Sequence, residues 1–547
     1  MVFLATLFIS LFTSIILIPI VRSLAIRLNA VDAPDPRKVH TCPMPKSGGI
    51  AMACGAVIPV LLWLPMDHFV RAVLLGSAIV VVFGAVDDFV NLSYKPKFAS
   101  QVAAALVVIL WGGVEISSLG TLLPPGLSLP HWLAVPLTVV VIVGATNAIN
   151  LSDGLDGLAG GISILIFLCI AYLAHRVGDT EVALFALAVS GAVFGFLRFN
   201  TYPADLFMGD AGSQMLGFLA VTLSIKLTQG LTGLSPLLPL LLLGFPILDT
   251  LTVMTERMAA GKSPFVADKN HFHHKLMRLG FVHKEAVLVI YVVQSLLVSS
   301  AFLLRHHPDG ALLGFYALFS GLIVTGFIVA ERKGWKVPRY DIVEHFVRTR
   351  LRPLREKQLV IRVSHAVLEN GLPLLLLVSC MIPARLPAFV PWMAAGFMVP
   401  VLFAWRFRPV WLGTVLRTTL YLLIPYVVYF GELEPFSWMG NGLGHVYCGL
   451  FTVMAASVLL TLKFTRRRKG FKTTPMDFLI LFVVLVVPNL PDARIQGQAL
   501  GLVATKMIAF FFSYEVLNGE LRGEYGKLAR FTVATLLLLA ARGVVGL

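Results

Sequence analysis

The sequence predicts an all-α polytopic membrane protein: a core of about 11 transmembrane helices followed by about 7 more. Three observations predict it. Only 13% of the 547 residues are charged, 57% are hydrophobic, and the mean hydropathy is +0.85. A soluble domain carries about 25% charged residues. Apolar runs of about 17–21 residues, long enough for a helix to cross a bilayer, recur along the whole chain. Lysine and arginine gather in alternate loops between these runs, as the positive-inside bias requires. The net charge of +15 belongs to those loops and suits anionic lipid. No compact basic domain with interleaved aromatics is present, which argues against nucleic acid as a partner.

The core runs fall at 2–21, 48–65, 69–86, 99–117, 132–149, 158–175, 182–199, 214–231, 234–254, 286–304 and 311–330. The first has no basic residue before it and Arg22 just after. That order opposes a cleavable signal peptide and predicts a retained helix with its N-terminus outside. Helix one then ends in a cytoplasmic loop bearing Arg22, Arg27, Arg37, Lys38 and Lys46, and every odd-numbered helix ends on that face. Opposite-face segments such as 120–132 lack lysine and arginine, with Arg176 and Arg305 as exceptions. Residues 331–365 carry a dense basic stretch and read as a cytoplasmic linker after a core of residues 1–330. Further spans are predicted near 366–383, 387–405, 411–430, 445–462, 475–488, 498–517 and 528–546, making 366–547 an additional membrane domain. Its acids, among them Glu369, Glu432, Glu434, Asp477, Glu515 and Glu520, look isolated. The five cysteines show neither CxxC spacing nor a disulfide framework.

Polar groups near lipid are costly and normally kept for function, so the loops that carry them point to a site. Asp87 and Asp88 close the third run and precede Lys95 and Lys97. Adjacent carboxylates repel, and a cation or bound metal explains the pair better than a solvated helix end does. Asn147, Asn150, Asp153 and Asp156 recur every three residues, which keeps them near one face if the segment is helical. An ordinary Asx-rich turn is the plainer alternative. In Met208–Ser213 (MGDAGS), Gly209 and Gly212 would expose N–H groups at a helix N-terminus that favours phosphate. Asp210 would hold a metal there, although Asp210 or Ser213 would also serve as a helix cap. His271, His273 and His274 lie beside Lys269, Asn270, Lys275 and Arg278 without zinc-like spacing. Imidazoles among cations suit a sugar diphosphate, bound by hydrogen bonds and charge. The turn Pro43–Gly49 (PMPKSGG), preceded by Lys38 and His40, adds basic groups that suit phosphate. All of these loops fall on one predicted face, which points to a magnesium-dependent active site at a membrane surface, with manganese as the alternative ion. A transporter relaying protons is the rival class. It predicts acids within the spans and paired across structural halves, whereas these sit at span ends and do not repeat.

At these motifs the chain resembles the polyprenyl-phosphate N-acetylhexosamine-1-phosphate transferases, which include the phospho-MurNAc-pentapeptide translocase. The likeness covers about residues 1–330 and keeps one motif order: a basic loop ending in GG, DD, NxxNxxDGxDG, GDxGS and HxHH. HFHH after DKN is similar to the undecaprenyl-phosphate GlcNAc-1-phosphate branch, and the C-terminal 331–547 lies outside the usual core. The resemblance implies transfer of a sugar 1-phosphate, most simply GlcNAc-1-phosphate, from a UDP-sugar to polyprenyl phosphate with release of UMP. UDP-GalNAc, another UDP-amino sugar or UDP-MurNAc-pentapeptide are the alternative donors. It implies a multi-pass protein of the bacterial inner membrane that initiates cell-envelope polysaccharide such as O antigen, with a homodimer and downstream glycosyltransferases as further partners. On that basis Asp210 and the Asn150 carbonyl are expected to hold magnesium. Asp87, Asp88, Asp153, Asp156, His271, His273 and His274 form the expected catalytic set. Lys38, His40, Lys46, Lys97, Asn147, Lys269 and Asn270 are expected to contact substrate. A covalent aspartyl-phosphate route stays open.

Overall fold

In lipid every backbone N–H and C=O must find a partner within the chain, so long apolar runs become helices. The computed structural model describes all residues except 1, 29–30, 33–42, 91, 125, 231, 264–269, 339–358, 434, 437–439, 465–499, 522–524 and 546–547. The chain divides into two compact units, the first spanning Met1–Pro338 and the second lying C-terminal to it.

The first unit is built from α1 (Val2–Arg27), α2 (Gly48–Trp63), α3 (His68–Val90), α4 (Tyr94–Leu110), α5 (His131–Leu151), α6 (Leu158–Val177) and α7 (Thr180–Asn200). It continues with α8 (Gly209–Gln229), α9 (Leu238–Leu242), α10 (Gly244–Ala259), α11 (Phe272–Arg278), α12 (His283–Leu304) and α13 (Asp309–Arg332). The two short strands β1 (Val31–Asp32) and β2 (Met44–Pro45) pair antiparallel. Among the described residues of the whole chain, nine helices are long and apolar enough to cross a membrane. The protein is therefore an all-α, multi-pass membrane protein, as its composition predicts.

The predicted ninth span, 234–254, is not one helix. It breaks at Leu243 into α9 and α10. Pro239 and Pro246 flank the break and lack N–H donors. The fully buried Gln294 of α12 bridges it, donating to the Leu242 carbonyl at 2.7 Å and accepting from Phe245 N–H at 3.2 Å.

Helix α8 is the central pillar, packed against α3, α5, α2 and α6. Shielded from lipid by those neighbours, it carries buried Ser213, Gln214, Thr222, Ser224 and Thr228. Small residues let the neighbours close on its N-terminus. A Cβ built on Gly84 of α3 would lie 2.6 Å from Ala211 Cα, and one on Gly49 of α2 would lie 2.2 Å from Gly212 N.

The second unit contains α14 (Leu359–Ser379), α15 (Phe389–Phe407), α16 (Pro409–Leu433), α17 (Asn441–Phe464), α18 (Leu500–Leu521) and α19 (Gly526–Val545) around a common apolar core. The predicted span at 475–488 lies outside the described residues. The basic stretch expected as a linker is helical at both ends, since α13 runs to Arg332 and α14 begins at Leu359. Two acids that look isolated in the sequence are not. Glu432 pairs with the buried Lys506, whose ammonium sits 4.4 Å from the Tyr447 ring, and Glu369 pairs with Lys527 at 3.3 Å. Partnering is what a charge inside a membrane bundle requires.

Candidate active site

Four separated loops meet at a cavity of about 600 Å³ in the first unit. Its wall includes Asp88 from the end of α3, Asn150, Asp153 and Asp156 from the α5–α6 connection, Gly209 and Asp210 from α8, and His273 and His274 from α11.

The two adjacent aspartates divide their work. Asp87 accepts from Leu92 N–H at 2.6 Å and pairs with Lys97. Lys97 also reaches Asp210 at 2.9 Å, so one ammonium ties α4, α3 and α8 together. Asp88 turns to α8 and accepts from the N–H groups of Asp210 and Ala211 at 3.0 and 3.3 Å. It is the carboxylate that satisfies the first turn of that helix. The N–H groups of Asp210 and Ala211 are thus held by a side chain of the protein itself. The contact needs a glycine at 209: its φ is +72°, and a Cβ there would lie 2.3 Å from Asp88 Oδ2.

The α5–α6 segment also splits by role. Asn150 Oδ1 accepts from Ser213 Oγ at 2.6 Å, which holds it beside α8 on the cavity wall. Asn147, one turn earlier, is not on the wall. Its amide donates to Gln101 at 2.6 Å and to the Val143 carbonyl at 2.8 Å, inside a polar network that includes Gln214. Asp156 accepts from Ala204 N–H at 3.0 Å and anchors the 201–204 loop. Burial pushes the Asp153 carboxyl up to about 7, and the nearby carboxylates Asp210, Asp88 and Asp156 push in the same direction.

The histidines divide as well. His273 is buried against Gly154, where a Cβ would lie 2.4 Å from its ring, and burial depresses its pKa to about 3 with help from neighbouring imidazoles. Burial therefore favours the neutral form of this ring. His274 stands 4.2 Å from it, centroid to centroid. His271 is not on the wall. It is buried and bonded through Nδ1 to Asp249 at 2.8 Å.

Lys46 reaches the cavity and pairs with Asp32 at 3.1 Å. Lys38, His40 and Lys269 lie outside the described residues, and the half-buried Asn270 is absent from the cavity wall. Asp32, Asn200, Tyr202, Phe207 and His283, none of them in the motifs above, also line the cavity. Asn200 and Tyr202 stand where an apolar helix ends in a polar and aromatic turn just before MGDAGS, a pattern visible in the sequence.

Among the described lining residues, Asp32, Asp88, Asp153, Asp156 and Asp210 face a single lysine, Lys46. Five acidic side chains and one ammonium make a hard-oxygen wall, with Lys97 bonded to Asp210 behind it, and burial first and the neighbouring carboxylates second raise Asp153. Among the described residues no three His, Cys, Asp or Glu could hold a metal by themselves. Magnesium needs no such cage, since it commonly takes one or two carboxylates and fills its shell with water and substrate phosphate. The donors present fit that ion.

The chain matches the family model for glycosyl transferase family 4 over residues 70–228, a stretch that includes Asp87–Asp88, NAINLSDGLDG and MGDAGS. It is also 39% identical over 330 residues to a probable undecaprenyl-phosphate N-acetylglucosaminyl 1-phosphate transferase of Bacillus subtilis (strain 168), covering 60% of this chain and 90% of that protein. It belongs to this transferase family. The undecaprenyl-phosphate alpha-N-acetylglucosaminyl 1-phosphate transferase of Escherichia coli (strain K12) is 31% identical over 341 residues, 60% of this chain and 91% of that enzyme. The decaprenyl-phosphate N-acetylglucosaminephosphotransferase of Mycolicibacterium smegmatis is 34% identical over 307 residues, covering 50% and 74%. The family expected from the order of the motifs is thus the family found.

Proposed function

We propose that this protein transfers GlcNAc-1-phosphate from UDP-GlcNAc to undecaprenyl phosphate, releasing UMP and starting a cell-envelope polysaccharide. The observation that carries the reading is the acid-walled cavity, where separated family motifs meet at the ends of membrane helices. The names of the family relatives supply the sugar and the lipid. An oxygen of the lipid phosphate attacks the sugar-bearing phosphorus, the bond to the bridging diphosphate oxygen breaks, and UMP leaves with that electron pair. A phosphate monoester has a second pKa of about 6 and is mostly ionised at neutral pH. Positioning and charge neutralisation therefore matter more than a strong base.

Asp210, with the Asn150 carbonyl, would hold magnesium, which when bound supplies the positive charge that lets two phosphates share an acidic cavity. Asp88 holds the first turn of α8, and so Asp210, in place. Asp87 holds Lys97 against Asp210. Asp153 and Asp156 face the donor, while His274 and the neutral His273 donate or accept hydrogen bonds at the diphosphate. Lys46 supplies a cation on the cavity wall. The active face is assigned to the cytoplasm of the bacterial inner membrane, where nucleotide sugars and the positive loops both lie.

UMP release by purified protein supplied with undecaprenyl phosphate and magnesium tests the reading across UDP-GlcNAc, UDP-GalNAc and UDP-MurNAc-pentapeptide. Preference for UDP-GlcNAc is expected. Preference for another donor would reassign the sugar, and no UMP from any of them would reject the transferase reading for this chain.

A further inference from the structure

Asp249 is an acid inside the apolar helix α10, outside the sequence motifs that line the cavity. It is 2% exposed. Its Oδ2 lies 2.8 Å from His271 Nδ1, and its Oδ1 accepts from Phe272 N–H at 2.7 Å. One carboxylate thus holds both the imidazole before α11 and the first N–H of that helix. Seven residues on, Glu256 pairs with Lys275. A spacing of seven puts both acids of α10 on one face, and four residues separate His271 from Lys275 on the short helix. The HFHHK segment is therefore docked at two points that differ in kind: a buried carboxylate–imidazole contact and an ion pair with its acid partly exposed.

The buried contact continues toward the cavity. The His271 ring lies nearly parallel to that of His273, at 8° with centroids 5.9 Å apart, and His273 fits against Gly154 on the cavity wall. A carboxylate only accepts hydrogen bonds, so Asp249 requires the His271 proton to be on Nδ1.

We infer that Asp249 is a positioning residue of the active site. Through His271 and the Phe272 N–H it sets the tautomer and height of the histidine segment, and so presents His273 and His274 to the donor diphosphate. The inference rests on the transferase reading for its consequence in turnover, but not for the proton position.

The substitution Asp249→Asn separates this role from plain docking. An amide offers one oxygen and one NH₂, so it can serve Phe272 N–H or His271 Nδ1–H but not both. Keeping the oxygen on Phe272 turns the NH₂ toward His271 and drives the imidazole proton to Nε2. The expected result is a folded protein whose kcat/KM for UDP-GlcNAc falls by about 10- to 100-fold, the scale of losing a carboxylate behind a working imidazole. The KM for undecaprenyl phosphate should be unchanged, and Asp249→Glu should restore part of the loss. Glu256→Gln, which loosens the other docking point without touching an imidazole, should keep near-normal turnover.

Nitrogen-15 spectra of histidine-labelled protein, with the His271 signal assigned by its loss in His271→Gln, read the tautomer without turnover. The wild type should show Nδ1 protonation and Asp249→Asn should lose it. A wild-type His271 protonated on Nε2 overturns the inference, as does normal activity in Asp249→Asn. Equal losses of activity and thermal stability in the Asp249 and Glu256 variants would reduce Asp249 to a docking contact. If the wild type releases no UMP while the Nδ1 signature is present, the transferase reading fails and the positioning assignment stands.

Discussion

Asp87 and Asp88 are neighbours in sequence with nearly opposite partners, one the Lys97 ammonium and the other two backbone N–H groups more than a hundred residues away. The pair could be read as a site from its cost near lipid, but its division of labour depends on contacts that no local pattern encodes. Asp210 carries the sharpest expectation at this scale. Asp210→Asn keeps the volume but removes a negative hard-oxygen donor from the cavity wall. Turnover should fall by at least ~10²-fold, the scale of deleting one electrostatic contact to a reacting phosphate. Near-normal rates at saturating magnesium would remove Asp210 from the metal assignment. His273 makes a prediction about pH. Its folded pKa, about 3, lies below the ordinary histidine value, so the unfolded chain binds the extra proton first as pH falls. The stability that goes with burying the neutral ring is fully present above about pH 6.5 and is lost progressively toward pH 3. Relative to its own value at pH 7.5, the melting temperature of the wild type at pH 5 should therefore be lower than that of His273→Gln. Equal drops would show that His273 is not the group being protonated.

At the scale of elements, apolar run length located the core helices well, because each lipid-spanning helix must satisfy its own backbone. It failed at 234–254, where Gln294 of α12 stabilises a break between α9 and α10 from some fifty residues away. Length also could not reveal α11, seven residues held by Asp249 and Glu256. Asp249 is visible in the sequence as a carboxylate inside an apolar run, but its partners lie more than twenty residues away, beyond any local pattern. The GG of PMPKSGG looked like the end of a phosphate-binding turn. Its glycines instead let α2 meet α8, with Gly48 and Gly49 N–H donating to the carbonyls of Phe207 and Met208 at 3.0 and 2.8 Å. Gly49→Ala should therefore act on packing. A methyl 2.2 Å from Gly212 N has no flexible side chain to displace and must push α2 away from α8. Overpacking of this kind costs about 1–3 kcal/mol, enough to lower the melting temperature by several degrees and to disturb Asp210. Gly144→Ala in α5, where a Cβ meets nothing within 4 Å, is the matched control and should be tolerated. If both variants melt alike, close approach at Gly49 is not what holds these helices together.

For the whole molecule, the residues that meet at the cavity all belong to the first unit. Relatives of the same family align over 60% of this chain yet 90% of their own length, so they need little beyond a core of that size. The second unit has its own apolar core and its own internal ion pairs, Glu432–Lys506 and Glu369–Lys527. Its described residues contribute nothing to the cavity wall. A chain truncated near Arg355 should therefore insert, purify as a folded protein and release UMP at a rate within a few-fold of full length. On the proposed reading catalysis takes place in the cavity, and none of the described residues of 359–547 lines it. The measurement is UMP released per mole of protein at saturating UDP-GlcNAc and undecaprenyl phosphate, beside a thermal melt of the same sample. A truncated protein that melts like the full chain but turns over nothing would show that the second unit takes part in the reaction, and the division of labour drawn from the cavity wall would be wrong.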